Sequence, residues 1–199
     1  MKNKDKKQIV NFFYETGILA KTPRSGFHFL GSGQQSVAEH TNRVVFIGYA
    51  LAMETPKVNL AKVLQMCLLH DLHEGRTSDL NYVHQKYTET KEIKALEDLT
   101  NSIPFGKNLE KILEEYIKRK TIEAKLAKDA DRLEWIISLK EQLDTGNAKA
   151  KEWLPSAIKR LDTAIAKELA KEIMKVNSDD WWFGNKNDAW WVNRDKKGL

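Results

Sequence analysis

The chain has 199 residues, 41% of them apolar and 31% charged. This balance excludes a wholly disordered polymer and suits one domain with a single core. Lys and Arg total 33 against 28 Asp and Glu, and the resulting net charge of +5 would attract a phosphate-bearing ligand but is too small to identify a nucleic-acid binder. The only cysteine, Cys67, rules out an internal disulfide. In the run Val63-Leu64-Gln65-Met66-Cys67-Leu68-Leu69 it reads as a small buried hydrophobe, and a reducing, cytoplasmic setting is the expectation.

The start, Met-Lys-Asn-Lys-Asp-Lys-Lys, is followed by no apolar stretch of the kind a secretory signal needs. Residues from about Asp5 to Thr16 place Ile9, Phe12 and Phe13 at helical spacing, with Gly17 as a stop. The segment from Lys21 to Gln35 holds Pro23, Gly26, Gly31 and Gly33 and is predicted to be a loop. Ser36, with Glu39 three residues on, forms a capping box that opens a helix. On that helix Val37, His40, Val44, Ile47 and Leu51 share a face, so His40 is predicted to point inward; Pro56 ends the segment. Its most apolar stretch, Val44 to Met53, is too short to span a bilayer. A helix from about Asn59 to Glu74, stopped by Gly75, comes next. Residues 76–87 read as a loop, followed by short helices near 88–101 and 107–119.

The longest helix is predicted over about Thr121 to Leu143, ending near Gly146, with Ala124, Ala127, Asp131 and Trp135 on one stripe. A last helix is expected over 156–176, with Pro155 near its first turn. No strand alternation, repeat or linker divides the chain, so the expectation is an all-α, single helical bundle over residues 1–178. A tail over 179–199 carries Trp181, Trp182, Trp190 and Trp191, whose rings are expected to cover the domain or a dimer partner.

Chemistry concentrates in Leu69-His70-Asp71-Leu72-His73-Glu74-Gly75. A buried Asp is costly unless it is paired or bound to a metal. On a helix His70 and Glu74 would share a face, and Asp71 and Glu74 would be neighbours. His40 and Asp131 are the further candidates, although taken alone His40 reads as a satisfied core residue and Asp131 as a solvated charge. Brought together, His40, His70, Asp71 and Asp131 would make a two-histidine, two-carboxylate site. Such a set suits Mn²⁺, Co²⁺, Ni²⁺, Fe²⁺ or Zn²⁺ better than Mg²⁺ or Ca²⁺.

These residues, in this order, resemble the HD-domain metal-dependent phosphohydrolases, and within them the HD-domain 5′-nucleotidases. Ser36-Val37-Ala38-Glu39-His40 looks like the first metal-histidine segment, and His70-Asp71-x-x-Glu74-x-x-x-x-Asp79 is similar to the central motif. Ala130-Asp131-Arg132-Leu133-Glu134 resembles the last metal-aspartate segment, and Thr22-Pro23-Arg24-Ser25-Gly26-Phe27 the substrate loop. The resemblance implies an HD-domain fold in which His40, His70, Asp71 and Asp131 bind one divalent transition metal. It further implies that Glu74 and Asp79 act on the attacking water or leaving group, that Arg24 and Phe27 contact a nucleoside 5′-monophosphate, and that the protein is a homodimer. The sequence departs from the family pattern at Phe27, where Trp is expected, in a spacing from Phe27 to His40 one residue short, and at Ser78, where glycine is common.

Other residues have plainer readings. His73 would sit at the pocket rim or serve a second metal, His28 and His84 read as surface residues, and Asp129 as a surface charge. Two rival functions stay open: another HD-type hydrolysis, of a nucleotide pyrophosphate or cyclic dinucleotide, and a non-catalytic nucleotide- or nucleic-acid-binding module supported by the paired tryptophans. A complete metal set plus Glu74 argues against the second, and neither a membrane nor a nucleic-acid partner is expected.

Overall fold

The computed structural model describes residues 2–193. Among them it holds twelve α-helical segments and no strand, only an isolated bridge between Pro23 and Ser36. The helices are α1 (Asn3–Thr16), α2 (Val37–Met53), α3 (Leu60–Leu69), α4 (Glu74–Thr77), α5 (Tyr82–Tyr87), α6 (Glu92–Asn101), α7 (Gly106–Lys118), α8 (Ile122–Asp144), α9 (Ala148–Ile158), α10 (Ala164–Ile173), α11 (Asp180–Phe183) and α12 (Ala189–Val192). The all-α expectation holds, and no helix among the described residues is long and apolar enough to cross a membrane.

The central element is α8. It buries Ala124, Leu126, Ala127, Ala130, Leu133, Ile136 and Leu139 while α2, α3, α7, α9 and α10 pack around it. Its ends are set locally. The Thr121 hydroxyl caps the Ala124 N–H, and Gly146, at φ 97°, closes a Schellman turn in which the Asn147 N–H donates to the Gln142 carbonyl at 2.9 Å. Where α2 crosses α3, Gly48 stands against Cys67, and a Cβ there would collide with the Sγ. Cys67 is buried, as predicted, and burial pushes its thiol up to about 12.

Several predicted elements need correction. The first helix ends at Thr16 with Gly17 as its cap, as expected, but the chain then tightens into a 3-10 turn, Gly17–Lys21, and a second 3-10 turn, Ser25–His28, interrupts the predicted loop. The helix expected to reach Glu74 ends at Leu69. There the Cys67 carbonyl is taken by the His70 ring nitrogen Nδ1 at 2.8 Å, and Leu72 N–H turns back to Leu69. Gly75 therefore lies inside α4, and the stop falls at Ser78, whose φ of 61° is ordinarily a glycine conformation. Residues 82–87 are helix, not loop, because the Asn81 side chain caps the N–H groups of Val83 and His84.

The helix predicted over 156–176 is two helices. Asn147 caps the first well before Pro155, and the second starts afresh at the Thr163 cap. Between them the Asp129 carboxylate accepts from the N–H groups of Asp162 and Thr163 and from the Thr163 hydroxyl, at 2.7–3.1 Å. Asp129 is thus fully buried, not the expected surface charge. Of the tail tryptophans, Trp181 is 86% exposed; just before the tail, Ser178 N–H donates to Asp144 on α8 at 2.9 Å. Residues 194–199 of the predicted tail lie outside the described residues.

Asp129→Ala strands several donors in the α9–α10 turn together with Arg132. It is expected to cost about 3 kcal/mol and to lower the thermal midpoint by roughly 6–12 °C. Melting followed by circular dichroism checks this, and an unchanged midpoint would contradict the role given to this carboxylate.

Candidate metal centre

The centre begins at the Ser36 cap. Ser36 and Glu39 form the reciprocal box predicted for them, which fixes where α2 starts and so which face His40 occupies. His40 is fully buried. Its Nδ1 lies 2.6 Å from Glu134 Oε2, and a carboxylate facing it there makes Nδ1 the donor. His70 uses Nδ1 to donate to the Cys67 carbonyl. Both Nε2 atoms therefore turn toward the same point, 3.3 Å from each other.

Two carboxylates complete the group. Asp131 Oδ1 lies 3.2 Å from His40 Nε2 and 3.8 Å from His70 Nε2. Asp71 Oδ2 lies 3.2 Å from His70 Nε2 and 3.5 Å from His40 Nε2. Ligands about 2.1 Å from one cation are separated by roughly 3.0–3.5 Å in octahedral or tetrahedral geometry, a spacing these donors match except between His70 and Asp131, which must close by a few tenths of an ångström. With two imidazole nitrogens and two carboxylate oxygens, the residues fit a divalent transition metal. His40, His70 and Asp131 form the tightest set; Asp71 and His73 stand outside it, though Asp71 comes within 3.5 Å of both imidazoles.

Around this group the charges are strongly coupled. Burial opposes the imidazolium of His40, but hydrogen bonds to Asp131 and Glu134 outweigh it and raise its pKa to about 9. Asp131 is held well below the ordinary carboxylate range despite burial, by Lys128 and the two histidines; Lys128 Nζ is 2.6 Å from Oδ2. Glu74 behaves in the opposite way: burial, then repulsion from Asp71 and Asp79, raises it to about 9. Arg24 reaches Asp71 and Asp79 at 3.5 and 3.3 Å, and Asp79 also accepts the Ser25 N–H at 2.9 Å, fastening the loop. Arg24 Nε and Glu74 Oε2 are buried without a hydrogen-bond partner, as are Gln35 Oε1 and the Tyr116 hydroxyl, so unused donors and acceptors remain beside the candidate metal ligands.

Arg24, Asp79 and Asp131 line a cavity of about 870 Å³. Phe27 is not among its lining residues; its ring stands edge-to-face on Trp135, which does line it, at 5.4 Å. His28 and His84 are exposed, as expected, and both approach the Asn81 side chain. Sequence reasoning missed Glu134 as the residue that orients His40. Gln35 Nε2 and the Ser138 hydroxyl in turn donate to Glu134, at 2.6 and 3.1 Å. The available signal was its position three residues after Asp131, on a neighbouring part of the same helix face.

A cation must displace the His40 Nε2 proton to bind there. Because the imidazole is raised to about 9, it stays protonated through neutral pH and competes with the metal. Affinity measured by calorimetric titration between pH 6 and 9 is expected to rise about tenfold per pH unit. A flat profile would remove His40 from the ligand set.

Comparison with known proteins follows the same pattern. The HD domain family model matches residues 16–174. The 5′-deoxynucleotidase HDDC2 of Danio rerio is 30% identical over 139 residues, 67% of this chain and 68% of that protein. Its namesake in Dictyostelium discoideum is 30% identical over 145 residues, covering 66% of this chain and 76% of that protein. A conserved hypothetical protein from Pyrococcus furiosus superimposes with a TM-score of 0.72 at 30% identity, over 84% of this chain and 99% of its own. With the family match spanning most of its helices and the histidines and aspartates converging in one place, the chain belongs to the HD-domain family of metal-dependent phosphohydrolases.

Proposed function

We propose that the protein is a 5′-nucleotidase, releasing phosphate from nucleoside 5′-monophosphates. The observation that carries this reading is the convergence of His40, His70, Asp71 and Asp131 beside the unused donor of Arg24 and the unused acceptor of Glu74. The 5′-deoxynucleotidase names of the two relatives support the choice of substrate.

His40, His70, Asp71 and Asp131 would hold the ion, one of Mn, Co, Ni, Fe or Zn rather than Mg. A divalent cation bound there supplies positive charge that neutralises phosphoryl oxygens and makes water more acidic. Arg24 offers Nε and its terminal nitrogens to the phosphate oxygens in a planar fork. Asp79 holds that fork in place through Arg24 itself and through the Ser25 N–H. In its ionised form, which a bound cation would favour, Glu74 accepts the proton of the attacking water at Oε2; the resulting carboxyl, held neutral by burial, returns that proton to the departing 5′-oxygen. The catalytic contribution is charge placement and orientation, as phosphoryl transfer requires. Phe27, through Trp135, shapes the wall against which the nucleoside rests.

A homodimer in the cytoplasm completes the proposal. Phe46, Tyr49 and Met53 are exposed on one side of α2, and Trp181 is exposed in the tail, which gives a second copy an apolar surface to cover.

Asp71→Ala is expected to lose bound metal and phosphate release together, with activity down by at least about 10²-fold, while the helical circular dichroism stays intact. Free phosphate assayed over ribo- and deoxynucleoside 5′-monophosphates reads the activity. Undiminished release from a metal-free variant would refute the mechanism.

A further inference from the structure

The cavity beside the metal centre has two chemically different ends. Its volume of about 870 Å³ falls in the upper part of the roughly 300–1,000 Å³ typical of small-ligand pockets. The floor is made by Lys128, Asp131 and Trp135 on α8 and by Trp153, Ala157 and Arg160 on α9 and just past it, helices joined by the short Gly146 turn. Trp135 and Trp153, with rings 6.5 Å apart, form the end nearer that turn. Lys128 and Arg160 each lie seven residues farther from it, about 10 Å along the helices. Asp131, and with it the metal centre, falls between the aromatic and cationic ends.

Arg119 also lines the cavity at the cationic end. It follows Tyr116 by one helical turn, and the Tyr116 ring lies 5.7 Å from Lys128 Nζ. Most charges at this end are already spent. Lys128 is paired with Asp131, and Arg132 with Asp129 and Asp162. Arg119 and Arg160 have no carboxylate within ion-pair reach among the described residues. Arg119 moreover holds a left-handed backbone, φ 49° and ψ 32°, at the end of α7, where glycine would sit without strain. A large cation thus stands where the backbone favours glycine.

We propose that Arg119 and Arg160 form a second phosphate subsite, and that the substrate class is a 5′-phosphorylated nucleoside carrying a further phosphate on its 3′-oxygen. This rests on the 5′-phosphatase reading above. The base at C1′ and the oxygen at C3′ leave a ribose ring on opposite sides. With the 5′-phosphate at the metal centre, the base reaches the Trp135 and Trp153 end, and a 3′-phosphate reaches the arginine pair. A nucleoside 3′,5′-bisphosphate and a 5′-phosphorylated dinucleotide both present this chemistry.

Phosphate release should be measured with the metal-loaded protein on four substrates: a nucleoside 5′-monophosphate, the 3′,5′-bisphosphate, the 5′-phosphorylated dinucleotide and the 5′-diphosphate. The expected result is a kcat/KM at least about tenfold higher for the bisphosphate or the dinucleotide than for the monophosphate. That ratio should fall to near one in the Arg119→Gln/Arg160→Gln variant, and the faster of the two substrates identifies the source of the second phosphate. If the double variant does not fold, Arg160→Gln alone, on an exposed turn, must lower the ratio at least about threefold. A ratio near one in the unmodified protein, a ratio insensitive to the arginines, or preference for the 5′-diphosphate overturns the subsite. If no substrate yields phosphate, the hydrolase reading fails, and tryptophan fluorescence on mixing with bisphosphate or monophosphate decides the subsite separately: arginine-dependent tighter binding of the bisphosphate upholds it, and equal binding rejects it.

Discussion

The structure depends on one buried imidazole held at both nitrogens by carboxylates from a single helix. His40 has Glu134 at Nδ1, 2.6 Å away, and Asp131 at Nε2, 3.2 Å away, both supplied by α8. Neither partner tolerates losing the other, because an unpaired buried charge costs more than the pair returns. The register of α2 against α8 is therefore fixed by polar chemistry as much as by packing. The apolar design complies: Ala124, Ala127 and Ala130 are small where α8 meets its neighbours, and Gly48 lets α2 approach Cys67. Buried pairs of this kind are a poor way to gain stability compared with apolar side chains of the same size. Their presence at the centre of the core marks function.

From that pair the rest of the site follows. Once His40 is oriented by Glu134, its Nε2 faces His70 Nε2, and the end of α3 must open so that the His70 ring can use the Cys67 carbonyl. Opening the helix there brings Asp71 to the same point and sends the chain through α4 to Asp79, which anchors the Arg24 loop. Ser78 takes a glycine-like conformation to deliver that aspartate. Strain, repelled carboxylates and unsatisfied buried atoms thus gather within a few residues of each other, as they do where binding or catalysis has been chosen over stability.

Much of this was legible in the sequence because it is local. The Ser36 box, the inward face of His40, the length of α8 and the Asp131 stripe are periodicities and caps within one helix. What escaped depends on partners distant in sequence. Glu134 meets His40 across 94 residues, and Asp129 meets Thr163 across 34, so each reads alone as an ordinary helical charge. The split of the predicted last helix has the same origin, since the carboxylate that takes the two N–H groups comes from another element. Asn81 was a missed local signal, an N-cap hidden in a stretch read only as loop.

The central claim is that four side chains from three parts of the chain share one cation. Anomalous diffraction from crystals grown with Mn²⁺ or Co²⁺ tests it directly. The account predicts one strong peak per chain, about 2 Å from Nε2 of both His40 and His70 and also contacted by Asp71 and Asp131. A peak elsewhere, or none between the two imidazoles, would contradict it.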